Sequence, residues 1–147
     1  MKEEAEYLRL ALAMGLTTAD EVVEWADGQI AALDEPPIQV IDVSLAGSWR
    51  AVEIMGLLNV VPGEADLARA AHRALGLFLR RLRDGGISLE QAAEMLWAYS
   101  NWASVPEDER LWASNFTDVV NCLNLGYYGT PESVRSEVEE FLTRHAG

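Results

Sequence analysis

The chain has 147 residues, half of them hydrophobic and about a quarter charged, with 24 acids against 11 basic residues and a net charge of −13. That length suits one domain, residues 1–147, able to close a core without metal or disulfide, and the lone Cys122 leaves no internal disulfide to form. The charge argues against nucleic acid as a partner, because phosphate binding needs a basic surface, and it disfavours an anionic membrane for the same reason.

The opening Met1-Lys2-Glu3-Glu4-Ala5-Glu6 carries acids where a secretory leader needs a basic region. The apolar run from Leu10 to Met14 is too short for a leader core or a membrane span. The expected location is the cytoplasm.

Helical signals then recur along the chain. Tyr7, Leu8, Ala11 and Leu12 predict a helix over 3–14 that stops at Gly15. Thr18 with Glu21 three residues on reads as a capping box. The helix it opens carries Val22, Trp25, Ala26, Gln29, Ile30 and Leu33 on one stripe and ends at Glu35-Pro36-Pro37. Residues 38–45 fit either a short strand or a short helix. A lone strand has nothing to pair with in a helical chain, so a helix with Pro37 at its first position is preferred. Ser48 is expected to cap a helix from about Trp49 to Asn59.

The clearest period follows over 64–83, where Leu67, Ala70, Ala71, Ala74, Leu75, Phe78 and Leu82 define one face before Gly85-Gly86. Ser88 and Gln91 form a second capping box before Ala92, Ala93, Leu96 and Tyr99. Pro106 is expected at a first helical position before Glu107, Asp108 and Glu109, three acids that suit a helix N-terminus, and that helix runs to Leu125. Thr130-Pro131 opens the last one, with Val134, Val138, Phe141 and Leu142 as its apolar face. The expected fold is all-α, a compact bundle or short array of seven to eight helices.

Chemical motifs are absent. Neither His72 nor His145 has an acid three or four positions away, and there is no HExxH, ExxH or CxxC. The familiar helical metal patterns are therefore missing, and no metal or cofactor is expected. His72 reads as a packed or boundary histidine, His145 as a terminal residue without a role, and Cys122 as a small core residue. There is no phosphate-cradling glycine loop, no GxSxG and no carboxylate pair whose spacing nominates it for acid–base work. No catalytic residue is assigned, and the chain is not expected to be an enzyme.

Three features stand above this background. Between Arg9 and Arg50 there is no Lys or Arg, while Asp20, Glu21, Glu24, Asp27, Asp34, Glu35 and Asp42 supply seven negative charges. Asp20, Glu24 and Asp27 share a stripe beside Trp25. Like charges at this spacing cost a helix about 0.2–0.5 kcal/mol per pair, so the stripe does not serve helix stability. It is either a solvated face, a surface for a basic partner, or a dock for the arginines of 64–83: Arg69, Arg73, Arg80, Arg81 and Arg83. The second feature is aromatic density at Trp97, Tyr99, Trp102 and Trp112. Trp97 and its neighbour Leu96 cannot both point inward, which leaves one at the boundary. The third is the recurrence of Asn115, Asp118, Asn121 and Asn124, poor helix formers whose presence implies hydrogen-bonding work, either internal or toward a partner.

The segments Met14-Gly15-Leu16-Thr17 and Glu21-Val22-Val23-Glu24-Trp25-Ala26-Asp27, with the later Leu125-Gly126-Tyr127-Tyr128-Gly129, resemble small acidic bacterial proteins. Some of these are, or neighbour, the immunity proteins of contact-dependent and polymorphic-toxin systems. The similarity covers about the first 45 residues and that short C-terminal stretch, and no family site carries over to individual residues. The resemblance implies a cytosolic antitoxin that binds one toxin domain and has no catalysis of its own.

Three functions are thus expected in order. The first is a binding protein that meets a basic partner through Asp20, Glu21, Glu24, Trp25 and Asp27. The second is a helical adaptor that holds a protein or peptide on an aromatic surface of Trp97, Tyr99, Trp102, Asn115 and Asp118. The third is a small-ligand binder or enzyme using the face of Asn115 and Asp118 with Tyr99.

Overall fold

Eight helices make up the chain in the computed structural model, which describes residues 1–146. In order they are α1 (Lys2–Ala13), α2 (Ala19–Ala32), α3 (Ile38–Ser44), α4 (Ala51–Asn59), α5 (Leu67–Arg83), α6 (Leu89–Trp102), α7 (Glu107–Asn124) and α8 (Pro131–His145). The fold is all-α, with no strand among the described residues.

The first helix organises the rest because it is apolar on two opposite sides. Ala5, Leu8 and Leu12 face one cluster, shared with Val22 and Ala26 of α2, Val40 and Val43 of α3, and Ile54 and Leu58 of α4. Leu10, Ala11 and Met14 face a second cluster built from α5 to α8, including Phe78, Leu96, Phe116 and Phe141. A helix apolar on both sides has to lie between layers. Accordingly α1 packs on α4, α5 and α6, while α6 pairs with α7, α5 with α8 and α2 with α3.

The remaining side of α1 carries a buried ion pair. Arg9 donates from Nε to Glu6 Oε2 at 2.8 Å and from Nη2 to Glu6 Oε1 at 2.6 Å. The same Nη2 donates to the Trp102 carbonyl at 2.7 Å, which holds the end of α6 against α1. A guanidinium taken out of water needs this many acceptors.

Elsewhere the arginines of α5 find acids on α1. Arg69 binds Glu3 and Arg73 binds Glu4, and Arg73 also lies 4.0 Å over the ring of Tyr7. The hydrogen bond from Arg69 holds the Glu3 carboxyl below its ordinary value, against a smaller opposing effect of desolvation. On α8, Arg135 donates to the carbonyls of Leu82 at 3.1 Å and Ile87 at 3.4 Å, and so caps the end of α5.

Several helix starts follow the sequence. Ser88 and Gln91 form a reciprocal capping box, and Thr130 forms one with Ser133, with Pro131 in the first turn. The segment 38–45 is helical over Ile38–Ser44, but Pro37 stands at its N-cap instead of its first position. Pro106 likewise is the N-cap of α7. Thr18 accepts from the Glu21 amide, yet the Glu21 carboxylate takes the Thr17 hydroxyl at 2.8 Å, so only half of that box forms. Ser48 does not cap α4, whose N-cap is Arg50. Cys122 is exposed, contrary to its expected place in the core, because it lies off the Phe116–Val120 stripe that α7 buries.

Candidate functional site

Three surfaces or clusters hold the residues with chemical potential. The first is α2, anchored by Val22 and Ala26 against α1, α3 and α4. Burial of that side fixes Asp20, Glu24 and Asp27 on the opposite one, where all three are exposed. They form no ion pair among the described residues. Of the α5 arginines that could have neutralised them, Arg69 and Arg73 engage Glu3 and Glu4 of α1, and Arg80, Arg81 and Arg83 form no ion pair among the described residues. Asp34, Glu35 and Asp42 are exposed as well, so all seven acids of this basic-free stretch face solvent.

Trp25, expected on the apolar stripe of α2 and beside the acids as a partner contact, is only partly available to a partner. It is half-buried against the α1–α4 cluster, and its indole N–H is enclosed without a protein partner. Large exposed apolar side chains do occur close by in sequence, namely Ile38, Leu45, Trp49 and Val52.

The second region is a shallow groove between α6 and α7. Leu96 is fully buried, which turns its neighbour Trp97 outward to 53% exposure. Trp97, Glu94, Ser114, Asn115, Thr117 and Asp118 line about 510 Å³ of open groove. It continues past Trp97 and Ser114 toward Ser100, Asn101, Arg110 and Leu111. The structure therefore brings Trp97, Asn115 and Asp118 together. Trp102 is exposed but lies outside this lining, and Tyr99 is not on the surface at all. The two residue steps from Trp97 to Tyr99 turn the side chain by about 200° on a helix, so the two point to opposite faces.

Tyr99 belongs to the third region, which the sequence does not announce. Its hydroxyl donates to Glu109 Oε2 at 3.2 Å. Burial, reinforced by the adjacent Glu109 charge and this hydrogen bond, pushes the phenol well above its ordinary pKa, so it stays protonated. Glu109, in the first turn of α7, is only 3% exposed. His72 of α5 places Nε2 at 2.8 Å from Glu109 Oε1, and His145 of α8 places Nδ1 at 2.6 Å from the same oxygen.

The ring of His145 lies 4.7 Å from that of Phe141 and 5.8 Å from that of His72. Phe141 in turn stacks on Trp112 at 4.1 Å. A carboxylate this buried needs donors on both oxygens. Two imidazoles meet one oxygen and the Tyr99 phenol donates to the other, while the carboxylate lies in the first turn of α7, where the helix dipole favours negative charge. Local spacing misses the cluster because each of its members comes from a different helix, as with His72 and Glu109, 37 positions apart.

Among the described residues no helix is long and apolar enough to cross a membrane. Comparison with protein-family models, with curated proteins and with solved structures finds no match to this chain.

Proposed function

We propose that the protein is a cytoplasmic binding protein whose α2 face captures a basic protein partner, in the manner of an immunity protein that neutralises a cationic toxin domain. The observation that carries this reading is the set of exposed carboxylates at Asp20, Glu24 and Asp27, left without cations while Arg69 and Arg73 are held by α1. A surface of this kind accelerates encounter with an oppositely charged partner more than it deepens affinity. The resemblance of this segment to immunity proteins points the same way.

The test combines Asp20→Asn, Glu24→Gln and Asp27→Asn in one variant. Relief of like-charge repulsion on α2 makes it slightly more stable, by a few tenths of a kcal/mol per pair. Association with a cationic toxin domain captured by this face slows by about tenfold or more at low salt, and the salt dependence flattens. Stopped-flow association and protection of cells expressing that domain are the readouts. Unchanged association at every ionic strength would sink the reading.

A second reading has its own observation, the exposure of Trp97 in the α6–α7 groove. Aromatic side chains set in a polar-rimmed groove are the common anchors of protein interfaces. Trp97→Ala is expected to leave thermal stability nearly unchanged, since the side chain is half in solvent. If that substitution abolishes partner binding while the α2 variant retains it, the groove replaces the acidic face as the docking site.

A further inference from the structure

The acidic face and the aromatic groove leave the third region unused. We propose that His72, Glu109 and His145 form a binding site for a divalent transition ion of the zinc type, with two imidazole nitrogens and one carboxylate oxygen as ligands. Nε2 of His72, Nδ1 of His145 and a Glu109 oxygen lie within 4.8 Å of one another. Both imidazoles aim at one and the same oxygen. Satisfying a carboxylate by hydrogen bonds alone asks only for donors, which are free to spread over its two oxygens. Here two imidazole nitrogens crowd one oxygen, so that three potential ligand atoms stand within 4.8 Å of one another, a spacing that a small shift turns into a metal's coordination shell.

Charge favours the ion too. Glu109 has no Lys or Arg partner among the described residues, although it is almost fully enclosed. A divalent cation would supply positive charge directly beside this buried carboxylate. The donor set selects among ions: two nitrogens and a carboxylate suit zinc, cobalt or nickel, whereas calcium and magnesium take oxygens.

The scaffold supplies further parts of such a site. The Tyr99 hydroxyl holds the other Glu109 oxygen, an outer hydrogen bond of the kind that orients metal ligands. The His72 and His145 side chains are 28% and 22% exposed, which gives an ion a route in and leaves a face for a fourth ligand, water.

In a tetrahedral shell with bonds of about 2.0–2.1 Å, ligand atoms stand about 3.3 Å apart. The present contacts of 2.6 and 2.8 Å therefore open by about 0.5–0.7 Å on binding, while the two nitrogens, within 4.8 Å of each other, settle to the same spacing. His145, in the last turn of α8, is placed to move that far.

The test uses the full chain without a histidine tag, stripped with chelator, in a Cys122→Ser background that removes the exposed thiol. Zinc is followed by calorimetry and cobalt by its visible absorption. The expected result is one equivalent of ion, a tetrahedral cobalt spectrum and a rise in the melting temperature. His145→Ala, with its helix content checked by circular dichroism, and Glu109→Gln lose stoichiometric binding. Tyr99→Phe, which keeps all three ligands, weakens it by about 10–100-fold. Imidazole nitrogen shifts of His72 and His145 in the unsubstituted chain move on addition of zinc, a readout that depends on no variant. Absence of stoichiometric zinc, equal zinc binding by His145→Ala, or unmoved imidazole shifts would overturn the site and leave a hydrogen-bonded clasp between α5, α7 and α8.

Discussion

Arg9→Ala is expected to lower the unfolding free energy by about 3–5 kcal/mol, the usual result of removing one member of a buried ion pair. The guanidinium of Arg9 satisfies both oxygens of Glu6 and the Trp102 carbonyl. Its loss strands a carboxylate that is 2% exposed and frees the end of α6. The asymmetry between breaking and replacing such a pair provides the control. Glu6→Leu combined with Arg9→Met removes both charges and fills the space, so the double variant unfolds with a smaller penalty than Arg9→Ala alone. Denaturant unfolding of the two variants measures both quantities. A single substitution costing less than about 1 kcal/mol would mean that water reaches the pair.

Phe141→Ala carries the second large effect, also about 3–5 kcal/mol for deleting a buried aromatic ring. Phe141 is fully enclosed, stacked on Trp112 on one side and against His145 on the other. With Val134, Val138 and Leu142, this stack makes up the apolar face by which α8 joins the second cluster, and Arg135 adds hydrogen bonds to the end of α5. The damage should therefore be local first. Amide exchange in Pro131–His145 speeds up ahead of exchange in α1 or α5, because local opening draws on the weakest-held unit. Under the metal proposal the same substitution also weakens zinc binding, since it releases the ring packing that orients His145.

Much of the helical layout was legible from local chemistry. The period of Ala70, Ala74, Leu75, Phe78 and Leu82 locates the face that α5 buries, and Ser88 with Gln91 marks the start of α6. Both are decided by residues within a turn or two of one another. Start signals that depend on backbone geometry were less secure, as Pro37 and Pro106 show by capping their helices from outside.

The aromatic surface was half legible. The adjacency of Leu96 and Trp97 forces one outward, and burial of Leu96 sends out Trp97. Tyr99 was grouped with it by proximity in sequence, which a helix converts into opposite faces. Hidden altogether was the meeting of His72, Glu109 and His145. Each residue is unremarkable among its neighbours, and only the packing of α5, α7 and α8 makes them contact. The exposure of the α2 acids depended on a question local pattern leaves open, whether the arginines of 64–83 dock against α2; Arg69 and Arg73 turn to α1.

The placement of α1 between the two apolar clusters also has a consequence for synthesis. A nascent chain emerges N-terminus first. The flank bearing Ala5, Leu8 and Leu12 finds its cover once α4 is made, but the flank bearing Leu10, Ala11 and Met14 waits for α5 and α6. Arg9 waits longer still for its acceptor, since the carbonyl of Trp102 ends α6. Helix α1 is thus half-clothed until the chain has been made as far as Trp102, with one apolar side bare in the meantime.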